Sequence, residues 1–439
     1  MNFLQKKDLA YHWHPCAQAK DLEINPPFVV KRAQGCYIEG LNGHKVIDGI
    51  SSWWCKSLGH NHPRLKAALF KQAESLEHVI STTTTNKTLI TLSEMLVNLI
   101  PGMDKVFYGG DGSSAIEIAL KMSFHSRINQ GEFSRRKFLS LANGYHGETC
   151  GALSVTQINS FKKVYRSLLF DSQAIKPIPY LQTPEQDLWH DCQKYWDKVE
   201  SFLHHHHREV TAIILEPIVQ GAGHMRIYSQ DFLRRLRSWT KKHNIHLIAD
   251  EIMTGLGRTG KMFACEHAEI TPDFICLSKG LTSGWMPFSA VLTTKEIYSS
   301  FCNPKKQEHY FSHSHTYTGN PLGACIALET LKVIKEEINW ASLKVKSNYL
   351  LKSFREIAQE TKILSNVRGI GMIAAGDIKK DVYSAPKMKK MIHAAFEQGA
   401  LLRPLGRTLY WLPPLNIDLS TIEALKKASL HALKHTFKV

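Results

Sequence analysis

Residues Ile245 to Pro287 read IHLIADEIMTGLGRTGKMFACEHAEITPDFICLSKGLTSGWMP. The short apolar run His246–Ala249 delivers two carboxylates, Asp250 and Glu251, and a Gly- and Thr-rich loop follows. A second apolar run, Phe274–Leu277, then delivers Ser278, Lys279 and Gly280. Apolar runs of this length between turn signals read as buried strands. Two such strands, each ending on a charge, bring an acid and an amine toward one ligand beyond their carboxyl ends. Pyridoxal 5'-phosphate (PLP) requires that pair: a lysine for the Schiff base and an acid for the pyridinium nitrogen. On this stretch alone, two ordinary strand ends carrying solvated charge remain the alternative.

Working outward, the same alternation continues. Helix-like patterns cover Arg64–Val79 and Thr88–Leu99, the second ended by Pro101-Gly102. Short apolar runs then recur at Lys105–Tyr108, Lys137–Leu141, Ala212–Leu215, His246–Ala249, Phe274–Leu277 and Ser289–Leu292, separated by amphipathic segments. Strands alternating with helices predict an α/β domain with a mostly parallel sheet. Leu322–Glu337 and a Lys- and Leu-rich stretch to about Glu360 read as helices. The remainder, 361–439, mixes strands (Gly371–Ala375, Thr408–Leu412) with two helical segments, as a smaller α/β domain would. Upstream, Gly35–Gly43 followed by Lys45–Asp48 predicts a hairpin turning at Asn42-Gly43.

Composition narrows the classes. A chain of 439 residues with 43% hydrophobic and 21% charged residues is an ordinary globular protein with room for two domains. The amino terminus has no apolar signal core and no run approaches membrane-spanning length, so a cytoplasmic protein without membrane contact is expected. Nine scattered cysteines without a CxxC pair argue for reduced thiols and against a structural metal site. The net charge of +16 gathers in helix-like segments (Arg234, Arg235, Arg237, Lys241, Lys242, Lys387, Lys389, Lys390) without a nucleic-acid signature, and reads as solvated helix faces. The internal run His204–His207 reads as a polar loop or helix end.

Three further constellations carry chemistry. Tyr108-Gly-Gly-Asp-Gly-Ser-Ser114 follows a strand and opens a helix from Ala115, with Ser114 and Glu117 spaced as a capping box. Free backbone N–H groups and a helix N-terminus there form an anion site. Tyr145, in Asn143-Gly-Tyr-His-Gly147, can lie flat against a pyridine ring. Trp53 and Trp54 are adjacent, and neighbouring side chains diverge, so at least one should line a cleft.

Together these motifs resemble the class-III PLP-dependent aminotransferases. The resemblance rests on Glu216–Gly223, Ala249-Asp-Glu251 with Gly255-x-Gly-Arg-Thr-Gly260, and Leu277-Ser-Lys-Gly-Leu281. Trp13-His-Pro15, Asp48-Gly-x-Ser-Ser-Trp-Trp54, Phe263–Glu269, Gly319-Asn-Pro-Leu322 and Arg403-Pro404 are similar to the biotin-synthesis branch. The resemblance implies fold type I and a homodimer with active sites at the interface. It implies an N-terminal segment 1–63 belonging to the small domain and the active-site wall, a large PLP domain 64–330, and a C-terminal small domain 331–439. It implies Lys279 as the Schiff-base lysine, Asp250 as the pyridinium partner, Gly112 and Ser113 as phosphate binders and Tyr145 as the stacking ring. Thr316 would reach the neighbouring subunit's phosphate, beside Ser314 at the substrate; Trp53 and Trp54 would wall the pocket and Arg403 hold the substrate carboxylate. The implied reaction is transfer of an amino group to 8-amino-7-oxononanoate from S-adenosyl-L-methionine, with no metal. Cys16 stands where the branch has Tyr, which leaves lysine as an alternative donor, or another class-III ω-aminotransferase activity. His315 replaces a usual Pro, Glu148 a usual Asp, and Met253 a Gln or small apolar residue.

Overall fold

In the computed structural model, which describes residues 1–303 and 309–438, the apolar runs become strands of one seven-stranded sheet. Across the sheet the order is Lys105–Gly109, Ser289–Thr293, Phe274–Leu277, His246–Asp250, Val210–Leu215, Lys137–Leu141 and Ser172–Ile175. Only Ser289–Thr293 runs antiparallel to its neighbours. The central strands are buried on both faces, which is why they read as unbroken apolar runs rather than alternating ones. Alternation survives in what each residue touches. Ile213, Leu215 and Leu247 pack with Trp196, Phe232 and Trp239, from the helices Gln193–His206 and Gln230–Lys242. Ile214 and Ile248 pack instead with Ile116 and Ala119 of the helix Gly112–Asn129.

The seventh strand, Ser172–Ile175, sits at the sheet edge with only Ile175 buried, so its sequence carries little apolar signal. The helix expected over Arg64–Val79 is shorter, Pro63–Ala73. The expected hairpin forms between Tyr37–Gly40 and Lys45–Asp48. It belongs to a four-stranded sheet completed from the other end of the chain, where Ala400–Leu401 pairs parallel with Lys45–Asp48. Cys36 and Ile47 accordingly share a core with Phe354, Trp411 and Leu425. A further three-stranded sheet joins Leu364–Ile370, Ile373–Ile378 and Thr408–Trp411. The histidine run closes the helix Gln193–His206. Some of the basic side chains on Gln230–Lys242 are paired: Arg235 with Asp231 at 2.7 Å and Arg237 with Asp273 at 2.6 Å. Among the described residues no helix is long and apolar enough to cross a membrane.

Candidate active site

The parallel register pairs Asp250 with Cys276, so the acid ends one strand where the neighbouring strand is about to deliver Lys279. Both face a cavity of about 220 Å³ lined also by Trp54, Gly112, Ser113, Tyr145, His146 and Glu216. A larger hollow of about 500 Å³ around Met95, Met262 and Trp340 is lined by the exposed Glu94 and Lys335 rather than by a buried acid and amine.

At one end of the cavity the strand Lys105–Gly109 gives way to the helix Gly112–Asn129. The helix starts earlier than its sequence suggests. Asp111 is the N-cap and accepts from the backbone N–H of Ser114 at 2.9 Å, so Ser114 lies inside the first turn. The expected Ser114–Glu117 capping box does not form; Glu117 instead accepts from the N–H groups of Gly151 and Ala152. By position, the N–H groups of Gly112 and Ser113 have no intrahelical acceptor, and they sit at the positive end of an 18-residue helix. The loop opposite closes tightly on them: at Gly147, with φ +126°, a Cβ would lie 2.2 Å from Ser113 Oγ. Free backbone donors at a dipole terminus, beside the Ser113 hydroxyl and opening on the cavity, fit a phosphate.

At the other end lie the ionisable groups. Asp250 is buried, and its Oδ2 lies 2.8 Å from His146 Nδ1. With Nδ1 protonated, that hydrogen bond points the imidazole at the carboxylate and fixes its orientation. His146 is itself held by its N–H donating to Thr156 Oγ1, while its Nε2 is buried without a partner. Glu216 accepts from the N–H of Tyr145 at 3.0 Å and of Gly221 at 2.8 Å, tying the tyrosine loop to the sheet. Burial, with a smaller contribution from the Asp250 charge, pushes Glu216 up to about 7. Burial depresses the Lys279 amine, and Asp250 and Glu216 oppose that shift. Tyr145 donates to Glu148 at 3.0 Å, and burial foremost raises its phenol. A buried acid backed by an imidazole, a desolvated amine and an anion cradle together fit PLP in its phosphate, ring-nitrogen and carbonyl parts.

The tryptophans are presented by an unusual turn. Ser51, Ser52, Trp53 and Trp54 all have positive φ (48°, 55°, 116° and 72°), a region that L-residues other than glycine rarely enter. This turn sends the two indoles to different places. Trp54 is buried in the cavity wall, with its Nε1 donating to Tyr410 and Lys279 Nζ 4.9 Å from its ring centre. Trp53 stays 41% exposed, and the Arg403 guanidinium carbon stacks 3.9 Å from its ring centre. Each indole thus carries one of the cations expected to meet substrate.

Of the residues singled out by sequence, Lys279, Asp250, Tyr145, Gly112, Ser113 and Trp54 converge, and Trp53 and Arg403 stack on each other. Ser314 and Thr316 do not line this cavity; they lie on an exposed loop where the Thr316 carbonyl accepts from His78 Nε2 at 2.7 Å. Cys16 is exposed and lies in the neighbourhood of Tyr145. Sequence reasoning gave no role to His146, Glu216 or Tyr410. His146 stood inside a quoted motif, but its partner Asp250 is 104 residues away, and no spacing rule links them.

A sheet of this order, with acid and lysine at adjacent strand ends and a helix-borne anion cradle, defines a PLP-dependent enzyme of fold type I. Residues 18–433 match the family model described as aminotransferase class-III. The chain is 40% identical, over 98% of its length and 97% of the relative's, to the adenosylmethionine-8-amino-7-oxononanoate aminotransferase of Helicobacter pylori. The crystal structure of the Methanocaldococcus jannaschii protein of that name superposes with a TM-score of 0.91 at 32% identity, covering 99% of both chains. An amine transaminase from an uncultivated Pseudomonas species, solved in its PLP-bound form, superposes with a TM-score of 0.89 at 29% identity, covering 97% of this chain and 98% of that one. The chain belongs to the class-III aminotransferase family and is a PLP-dependent aminotransferase.

Proposed function

We propose that this aminotransferase converts 8-amino-7-oxononanoate to 7,8-diaminononanoate in biotin synthesis, with S-adenosyl-L-methionine as amino donor. The observation that carries the substrate reading is Arg403 stacked on Trp53. It provides one distant cation beside an apolar wall, which suits a long aliphatic acceptor ending in a carboxylate, and the relatives described above bear the matching name. Arg403 would grip that carboxylate bidentately. The indoles exclude water and offer a π face to the donor's sulfonium.

In this reading Lys279 anchors the cofactor, Gly112 and Ser113 hold its phosphate and Tyr145 covers its ring. When bound, PLP supplies an electron-withdrawing ring that stabilises charge on the substrate carbon losing its proton. Asp250, oriented by His146, holds the positive charge on the ring nitrogen. Once the substrate amine has displaced it from the cofactor, Lys279, its amine already desolvated, would carry the proton between the substrate carbon and the cofactor's C4′. One pocket then serves donor and acceptor in turn.

The protein is further proposed to act as a cytoplasmic homodimer. Ser314 and Thr316 would complete the partner's site. Their exposure, beside exposed Tyr310 and Tyr317, supports this. The proposed division is 1–63 with 331–439 as the small domain and 64–330 as the PLP domain. A second donor, lysine, is favoured by Cys16, which offers neither ring nor phenol beside Tyr145. Incubating the purified protein with PLP, 8-amino-7-oxononanoate and either donor decides both points. Formation of diaminononanoate supports the acceptor, the faster donor identifies the physiological one, and no product with either sinks the proposal.

A further inference from the structure

The turn that carries both tryptophans needs an explanation, since no glycine relieves its four positive φ angles. Left to itself, Ser51–Trp54 would relax toward ordinary backbone. What holds it is Asp48, fully buried at the end of the strand Lys45–Asp48. One carboxylate oxygen, Oδ1, accepts from the Ser52 N–H at 2.8 Å. The other, Oδ2, accepts from Ser52 Oγ at 2.6 Å and from His60 Nε2 at 2.9 Å. His60 is fixed in turn by a two-way backbone bridge to Gly35. The opposite flank of the turn is tied to the far end of the chain, with Ser51 Oγ donating to the Leu412 carbonyl at 2.7 Å and Trp54 Nε1 to Tyr410.

We propose that Asp48 is a positioning residue: through Ser52 and His60 it locks the left-handed turn that aims Trp54 at Lys279 and Trp53 at Arg403, and so sets the acceptor length the site selects. The physical basis is that consecutive side chains on a strand or helix diverge by a fixed angle. A clamped left-handed turn replaces that angle with another, and the two indoles then serve as fixed rests for the two cations. The separation between reacting carbon and carboxylate in a preferred acceptor follows from that spacing. This inference rests on the reading of Lys279 and Arg403 as the two ends of the substrate site.

The test uses holoenzyme labelled with 5-fluorotryptophan, whose nine tryptophans are resolved by ¹⁹F NMR, with Trp53 and Trp54 assigned by single Trp→Phe changes. In Asp48→Asn the Trp53 and Trp54 resonances shift or broaden while the others stay. The KM for 8-amino-7-oxononanoate rises about tenfold or more, whereas kcat at saturation changes less than about twofold. Preference over homologues one methylene shorter or longer flattens. Adding Ser52→Gly to Asp48→Asn restores much of the KM, because glycine accepts positive φ without a clamp. His60→Leu, which removes one donor and leaves Asp48, gives the same pattern more weakly and serves if Asp48→Asn does not fold. Unmoved Trp53 and Trp54 resonances, movement of all nine, equal loss in kcat and KM, or an unchanged length preference each overturn the proposal. Arg403→Ala separates the two readings. If it leaves the acceptor KM unchanged, the site reading has failed and the measuring role falls with it, whereas a raised KM in Arg403→Ala beside an unaffected Asp48→Asn refutes the clamp alone.

Discussion

Replacing His146 with phenylalanine should slow the reaction without abolishing binding. The imidazole donates to Asp250 Oδ2 at 2.8 Å, and both residues are buried. Phenylalanine keeps most of the volume but leaves that carboxylate oxygen without its donor, retaining only the Ile252 N–H at 3.2 Å on Oδ1. A hydrogen bond to a charged group contributes about 1.5–3 kcal/mol. The orphaned carboxylate is then less firmly held and less well aimed, so it balances a positive ring nitrogen less well. If the lost stabilisation falls wholly on the transition state, kcat drops by about 10- to 150-fold. Steady-state kinetics with saturating PLP measure this, with KM for both substrates expected to stay within about twofold. His146→Asn, whose amide can donate from nearly the same place, should recover part of the rate. A fall in kcat of less than about threefold for a folded His146→Phe variant would refute the reasoning, as would an equal loss in the asparagine variant.

Lys279→Ala should lose all turnover and release its cofactor on gel filtration; measurable turnover would remove the lysine from its role. Because burial lowers the Lys279 amine, the rate should rise with pH along a limb lying below the ordinary lysine value of 10.5, and a limb at or above it would contradict the desolvation argument. Glu251 accepts from Thr254 Oγ1 and from the N–H groups of Ala264 and Cys265, so in Glu251→Gln an amide must face a donor, at a cost of about 1–3 kcal/mol by urea denaturation. Burial raises Glu251 from 4.5 to about 7, so its contribution to stability is fully present below pH 4.5 and is lost as pH climbs through 7. Glu251→Gln should flatten the stability–pH curve in that window, and an unchanged slope would count against the raised value. Trp54→Ala empties a buried wall and should cost about 3–5 kcal/mol of stability, read from the same denaturation curves.

The main sheet was legible because its central strands are buried on both faces and end on the residues that matter. Asp250 and Lys279 could be paired from the sequence since both lie just past apolar runs on neighbouring strands. The edge strand Ser172–Ile175 escaped because an edge needs only one buried side chain. The helix start at Gly112 was misplaced because aspartate, serine and glutamate all look like caps, and which one engages depends on where the preceding strand stops. His146 and Glu216 depend on partners supplied by distant strands. The positive-φ turn was hidden more deeply: Ser-Ser-Trp-Trp contains no glycine to advertise it, and its cause is an aspartate and a histidine on either side. Trp53 stood out by its adjacency to Trp54 and Arg403 through resemblance, and only the folded chain shows that they touch.

The pairing of Lys45–Asp48 with Ala400–Leu401 bears on how the chain is made. During synthesis the strand that leads into the tryptophan turn can pair at once with Tyr37–Gly40, yet the partner on its other side is about 350 residues further on. Until Ala400–Leu401 leave the ribosome that edge stays open, and contacts of such long range slow folding and leave intermediates prone to association. Tyr410 and Arg403 arrive with the same late segment. The cofactor-binding sheet can therefore assemble before the segment that brings Arg403 and Tyr410 to the tryptophan turn has been made.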